Sequence, residues 1–411
     1  MFELRPFQKD ADVKLDEAYA AGHKVVMIVL PTGAGKTVVF THRIGTFKGI
    51  SLVMAHRAEL VTQASLTLAR SGIMHRIIGP GTLTKRCAKL HMLELGKQFI
   101  SSNANVICAS VQTLDGKDFS LRYPVFANIL PQVGQWVCDE GHHLLANNMW
   151  GRVVSTMPNA IGLVPTATPE RADGKGLGSH ADGLVDEMVV GPTQRELIDW
   201  GFLTNYAIFS PPSCIDLGDV TLSSATGDFN KTQLRDAGRK QKKKIVGDVV
   251  DHYFRWAPNK LTLCFVTDLD TADDVCRGFI SRGIKAAVIS SKTDDMMRAQ
   301  IMKQFADGFY RVLVNVDILG EGVDVPAVEA VILARPTESF SLFNQQCGRP
   351  LRLAKGKEVA IIIDAVGNVQ RHARAVEYPD GRTLIDVLDA LAAAHGAHAT
   401  GQVSVRVDDV A

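Results

Sequence analysis

Apolar runs of five or six residues recur along the chain, each followed by a longer stretch in which apolar positions return every three or four residues. In the first half, Val25–Leu30, Ile50–Ala55, Asn105–Ser110, Gln135–Glu140 and Ala160–Thr168 read as strands. Amphipathic patterns from Lys36 and over Arg57–Ser71 read as helices between them. Strands alternating with helices predict a parallel, doubly wound sheet. Residues 171–192 then turn glycine-rich (Gly174, Gly176, Gly178, Gly183, Gly191) and read as a loop or mobile flap.

A second cycle begins after Pro211-Pro212 and the polar stretch 213–238. Leu261–Val266, Lys285–Ser290, Arg311–Val316, Val328–Ala334 and Glu358–Asp364 read as strands. Ala272, Val275, Cys276, Phe279 and Ile280 fall on one helical face between the first two. The pattern predicts two α/β units in tandem, residues 1–205 and 206–378, joined near 200–240. A tail, 379–411, offers one helix over Thr383–His395.

Composition narrows this picture. A chain of 411 residues accommodates two or three domains, and 46% apolar with 22% charged residues is ordinary for a globular protein. The formal net charge is +1, so any nucleic-acid contact must come from local basic surface rather than a global field. Cys87, Cys108, Cys138, Cys214, Cys264, Cys276 and Cys347 are scattered without a C-x-x-C pair and read as buried small hydrophobes in a reducing compartment. The N-terminus carries Glu3, Asp10 and Asp12 and does not read as a signal peptide, and no apolar run approaches a membrane span. These features predict a cytoplasmic chain.

The sharpest chemistry lies in Leu30-Pro-Thr-Gly-Ala-Gly-Lys-Thr37, a strand, a glycine-rich turn and a helix start. Thr32, Gly33, Ala34 and Gly35 would let backbone N–H groups approach phosphate oxygens, Lys36 would reach the β- and γ-phosphates, and the Thr37 hydroxyl would hold magnesium. Leu30 stands where the strict pattern has its first glycine. Asp139 and Glu140 follow a predicted strand, where carboxylates face the ligand crevice of such sheets. Asp139 could hold the metal through water, and Glu140 could orient and deprotonate the attacking water. Thr166 and Thr168 end another strand and could relay nucleotide state, with His142 as a partner.

In the second half, Gln345-Gln-Cys-Gly-Arg349-Pro-Leu-Arg352 places two arginines three residues apart. That spacing would set both guanidiniums on one face of a helical turn, although Pro350 between them favours a bent turn. Such arginines can stabilise transition-state charge at a γ-phosphate held by the other unit. Gly320–Pro326 follows a predicted strand; Gly322 permits a tight turn, and Asp324 is placed for a ribose or for ordering the arginine pair.

The order of these stretches resembles the superfamily 2 helicases, in the DEAH-like group with type III restriction motors and RadD-like repair helicases. Within that resemblance Arg5-Pro-Phe-Gln8 looks like the adenine-reading motif, Leu30–Thr37 like motif I, Asp139–His142 like motif II and Thr166–Thr168 like motif III. Gly320–Pro326 looks like motif V, and Gln345–Arg352 like motif VI. His56 and Arg57, and Ser110, Gln112 and Thr113, match the two strand-tip motifs that touch the nucleic-acid backbone. The resemblance spans roughly residues 1–375 and implies two RecA-like domains with ATP and Mg2+ in the cleft between them. It further implies ATP-driven movement along DNA in replication, recombination or repair, in a bacterial or phage-infected cell.

Gly141 and Pro165 depart from the family at its coupling elements, and the cysteine spacing offers no zinc-binding extension of the RadD-like kind. The same motifs would serve a duplex-DNA translocase or annealing motor without unwinding, an RNA helicase, or an ATP-gated clamp. Single-stranded or forked DNA is the expected partner, with a monomeric motor and a protein loading partner as further expectations. Two basic stretches, Lys85–Lys89 and Arg239–Lys244, could line a nucleic-acid path or form solvated helix faces. With aromatics at only 7%, backbone tracking is favoured over base reading.

Overall fold

The computed structural model describes residues 3–56, 58–138, 144–167, 169, 177–178, 182–213, 215–223, 227–316, 328–373 and 403–406. Thr32–Ala34 aside, which group with the second, the chain divides between Pro192 and Thr193 into two compact units, each built on its own seven-stranded sheet.

The first unit holds β1 (Val25–Val29), β2 (Ile50–Ala55), β3 (His75–Ile78), β4 (Val106–Ser110), β5 (Val133–Cys138), β6 (Ile161–Thr166) and β7 (Glu187–Val190). They lie in the order β3-β4-β2-β5-β6-β1-β7, and every pairing is parallel. Parallel sheets need cover on both faces, which is why the five strands between the edges β3 and β7 are mostly apolar. Alternate residues of five strands (Met27; Leu52 and Met54; Ile107 and Ala109; Trp136; Val164) turn to one face and meet Phe119, Leu144, Trp150 and Val153. Trp136 is the bulkiest of them, and its indole lies over Gly162, directly across from it on β6. A Cβ at Gly162 would fall 2.2 Å from the ring, so that glycine is dictated by its neighbour.

The second unit holds β8 (Asn205–Ser210), β9 (Thr262–Val266), β10 (Ala286–Ile289), β11 (Val312–Asn315), β12 (Ala330–Ala334), β13 (Val359–Asp364) and β14 (Val403–Arg406). Their order is β10-β11-β9-β12-β13-β8-β14, parallel except for β14, which runs antiparallel to β8. Helices Lys242–Trp256 and Leu269–Ser281 cover one face, where Tyr253 and Phe279 meet edge to face at 5.2 Å. Asp268 caps the second of these helices by accepting from Thr271 N–H at 2.9 Å. Its buried stripe is Ala272, Val275, Cys276 and Phe279; Ile280, expected on the same face, sits at the stripe's edge and is 55% exposed.

All ten expected strands are present, and the architecture is a tandem pair of RecA-like units. Three further findings correct the sequence reading. Strand β7 forms inside the glycine-rich stretch 171–192, β8 lies before Pro211-Pro212 rather than after them, and Lys231–Lys240 is a helix that begins within the polar stretch 213–238. The six described cysteines are buried with free thiols, and Cys214 lies outside the described residues. Among the described residues no helix is long and apolar enough to cross a membrane.

Candidate nucleotide and nucleic-acid site

Strand β1 delivers the phosphate loop. Its last residue, Val29, pairs with Thr166 at the end of β6, and Leu30 N–H donates to the Thr166 carbonyl at 3.0 Å. The chain then turns through Gly33 (φ +89°) and Gly35 (φ +86°), both left-handed, before helix Lys36–Thr46 begins. Two left-handed residues alternating with ordinary ones turn successive N–H groups toward one side, the geometry of an anion-binding nest. Lys36 opens the helix, and its ammonium donates to the Leu30 carbonyl at 3.1 Å, spanning the mouth of the loop. Thr37 follows in the first turn. This donor set fits a polyphosphate: backbone N–H groups, a helix N-terminus and a lysine converge on one loop.

The stretch expected to read adenine reaches the same loop. Arg5 is the N-cap of helix Pro6–Ala20, and the Gln8 side-chain carbonyl accepts from Arg5 N–H at 2.9 Å. The buried Gln8 amide nitrogen lies only 2.6 Å from where a Gly35 Cβ would stand, so a side chain at 35 is opposed by φ and would also have to displace Gln8. Arg43, from the last turn of the phosphate-loop helix, pins this arrangement. It bonds Asp12 and Asp16 at 2.7 Å each and lies 5.4 Å over the Tyr19 ring, whose hydroxyl donates to the Gly162 carbonyl at 2.9 Å. Burial pushes the Tyr19 hydroxyl up, keeping it a donor.

The nucleic-acid candidates gather at neighbouring strand tips. Ala55 of β2 is in register with Ser110 of β4, so His56 emerges beside the short helix Val111–Leu114. Ser110 caps that helix, its hydroxyl accepting from Thr113 N–H at 3.2 Å and meeting the Thr113 hydroxyl at 2.9 Å. Exposed Gln112 reaches His56, and the His56 ring stacks toward buried Trp150 at 6.5 Å. Sequence reasoning missed Trp150, although its place after the acidic motif and after Asn148, which caps helix Met149–Ser155, was a usable signal.

Thr166 is fully buried at the tip of β6. Pro165, the unusual residue before it, costs no ladder bond on the β5 side, because β5–β6 pairing ends at Val137–Leu163. Arg57, Asp139, Glu140, His142, Thr168, Gly322 and Asp324 lie outside the described residues.

In the second unit, helix Phe340–Cys347 carries buried Gln345. The helix stops at Cys347 with Gly348 as its cap, so Arg349 and Arg352 ride the turn beyond it rather than a helix face. Pro350 explains the stop: it lacks the N–H a helix needs and disfavours helical backbone at Arg349. Upstream, Asp228 bonds the Thr337 hydroxyl at 3.0 Å and Glu338 N–H at 2.8 Å, while Asn368 accepts from Thr337 N–H at 3.0 Å and donates to the Arg335 carbonyl at 2.9 Å. These anchors, more than 30 residues away in sequence at each contact, had no local signal.

The basic stretch Lys85–Lys89 lies on helix Gly81–Leu95, with Cys87 turned inward, and Arg239–Lys244 straddles the junction of helices Lys231–Lys240 and Lys242–Trp256.

Comparison with known proteins places this arrangement. Residues 1–171 match the family described as "Type III restriction enzyme, res subunit", and residues 241–354 match "Helicase conserved C-terminal domain". The chain belongs to the superfamily 2 helicases. Among its relatives, it is 31% identical over 383 residues to the "Putative ATP-dependent helicase IRC3" of Saccharomyces cerevisiae, covering 89% of this chain and 51% of that protein. It is 30% identical over 349 residues to a 51.5 kDa protein of a Lactococcus phage, covering 84% of this chain and 66% of that one. The chain thus spans about half to two thirds of the curated relatives it matches. In fold it is similar to the fragment structure of a "putative HsdR subunit" of a type I restriction enzyme from Vibrio vulnificus, with a TM-score of 0.62, 21% identity and coverage of 92% of this chain and 66% of that one.

Proposed function

We propose that the chain is an ATP-dependent motor that moves along DNA, with residues 1–205 and 206–378 as its two working domains. The phosphate loop carries this reading: two left-handed glycines, a helix start and the Lys36 ammonium converge where a triphosphate would bind. A bound phosphate offers Lys36 a charged acceptor in place of the neutral Leu30 carbonyl, a stronger hydrogen bond. Gln8 and Arg5 would read the adenine, and Thr37 with Asp139 would hold Mg2+, which supplies charge neutralisation at the phosphates. Glu140 would take the proton of the attacking water, and Arg349 and Arg352 would stabilise charge at the γ-phosphate. Gly322 and Asp324 would border the ribose.

His56, Arg57, Ser110, Gln112 and Thr113 would track the nucleic-acid backbone, while His142, Thr166 and Thr168 relay nucleotide state to them. The relatives named as helicases support a role on nucleic acid, and DNA in repair, recombination or replication is the pathway class we favour.

The test is phosphate release measured with single-stranded DNA, duplex DNA, forked DNA and RNA, with Glu140→Gln as control. Stimulation by single-stranded or forked DNA supports a helicase. Stimulation by duplex alone makes the chain a translocase, by RNA alone an RNA motor, and equal turnover in Glu140→Gln overturns the catalytic assignment.

A further inference from the structure

We propose that Lys357 is the positioning residue of the arginine turn, its ammonium holding residues 350–352 against the base of the second sheet. It donates to the Pro350 carbonyl at 2.6 Å, to the Val328 carbonyl at 3.2 Å and to the Arg352 carbonyl. An ammonium has three protons, and here each finds a different main-chain oxygen. The acceptors differ in kind: Pro350 and Arg352 belong to the turn, whereas Val328 lies two residues before β12. That base is itself tied down, since the adjacent Glu329 accepts from Leu261 N–H at 2.9 Å and from Lys260 at 3.0 Å.

The remaining carbonyl of the turn is also taken. Leu351 accepts from Thr204 N–H at 2.8 Å, and the Thr204 hydroxyl reaches the Arg352 carbonyl at 3.5 Å. Three consecutive carbonyls are therefore fixed, and the backbone carrying both guanidiniums is over-determined. Local sequence arranges this. Gly356 takes a left-handed φ of +75° in a turn closed by Lys357 N–H on the Ala354 carbonyl at 3.2 Å, folding the chain back so that Lys357 faces the turn it follows.

Half-burial lowers the Lys357 pKa to about 8; Glu329 opposes the shift and the Arg352 guanidinium adds to it. Above that pH the amine keeps only two protons and no charge, and one carbonyl must be released. Glu329 and Arg352 are the charged groups that act on it from the sheet base and from the turn.

This inference rests on Arg349 and Arg352 being the charge-stabilising pair. The experiment compares wild type, Lys357→Met, Lys357→Arg and Arg349→Ala for DNA-stimulated kcat, for binding of a fluorescent ADP analogue, and for kcat from pH 6.5 to 9.5. Lys357→Met is expected to lower kcat tenfold or more while ADP Kd stays within twofold. Wild-type kcat should fall through the pH 8–9 region, and Lys357→Arg, whose charge does not titrate there, should retain turnover and lose that fall. A Lys357→Met kcat within twofold of wild type, or the same alkaline fall in Lys357→Arg, overturns the clamp. Should Lys357→Met fail to fold, the wild-type and Lys357→Arg pH profiles decide alone. Normal turnover in Arg349→Ala overturns the arginine reading and the clamp with it; loss there with normal Lys357 variants overturns the clamp only.

Discussion

Gln112 Nε2 lies 3.3 Å from His56 Nδ1, although 56 residues separate them in the chain. An amide nitrogen can only donate, so in this arrangement His56 Nδ1 accepts. The contact exists because β2 and β4 are neighbours in register, and it turns two strand-tip segments into one polar surface.

Gln112→Ala should therefore weaken DNA binding without disturbing the nucleotide site. If Gln112 also donates to a backbone phosphate, losing that one hydrogen bond costs about 1 kcal/mol, hence about a fivefold rise in Kd. Fluorescence anisotropy with single-stranded DNA at two salt concentrations checks this, alongside ADP-analogue binding, which should not change.

Gly35→Ala should be costly for two separable reasons. A left-handed backbone costs an ordinary residue about 1–2 kcal/mol, and the new methyl would press on Gln8. Gly72 has a similar φ of +77° with nothing within 4 Å of where a methyl would stand, so Gly72→Ala reports the backbone cost alone. Urea unfolding of both variants should show the larger loss for Gly35→Ala, accompanied by weaker nucleotide binding. Equal losses would mean that Gln8 simply moves aside.

Lys36→Ala should cut turnover severely while leaving a folded protein. The Leu30 bond it removes is worth about 0.5–1.5 kcal/mol, so the melting midpoint should drop by a few degrees at most. Loss of one charge-stabilising donor predicts a fall in kcat of about 10²–10³. Turnover near wild type would remove Lys36 from the site.

A buried histidine pair makes the first unit acid-labile. Ser65 Oγ sits 2.7 Å from His75 Nε2 and 3.1 Å from His91 Nε2. His75 Nδ1 donates to the Ile73 carbonyl at 3.0 Å, and His91 Nδ1 accepts from Phe99 N–H at 3.3 Å. With both rings neutral, His91 donates to Ser65 and Ser65 donates to His75, so every polar atom is matched. Burial lowers the His75 pKa to about 4 and lowers that of His91 as well. The unfolded chain then binds more protons, so stability is full above about pH 6.5 and is lost as pH falls toward 4. His372, also buried with a pKa near 4, adds the same dependence in the second unit. Ser65→Ala should cost about 1–3 kcal/mol by leaving two buried ring nitrogens unmatched. Urea midpoints between pH 4 and 8 check both points; a flat profile would contradict the neutral network.

The strands legible in sequence were those buried on both faces, because continuous apolar runs announce them. The ones missed carry weaker marks. β3 begins His-Arg, β7 exposes Met188 and Val190 at a sheet edge, and β14 alternates Val-Ser-Val-Arg near the end of the chain. β8 was hidden by Pro211-Pro212, which drew the start of the second cycle past it. Within the site, the phosphate loop and the strand-tip polar residues were readable because their chemistry is local. Lys357, Asp228 and the Ser65–His75–His91 triplet were not, since each acts on carbonyls, hydroxyls or rings that only folding brings near.

The place of β8 in the second sheet has a practical consequence for dissecting the chain. It fills the slot between β13 and β14, with Tyr206, Ala207 and Ile208 buried. A fragment starting at Ser213 would strip one long side of β13 and leave a row of bare amide and carbonyl groups beside Ile361 and Ile363, a template for self-association. A fragment starting at Thr193 keeps that side covered and retains the Thr193–Glu196 capping box. Where the scissors fall within those twenty residues decides between a soluble piece and a precipitate.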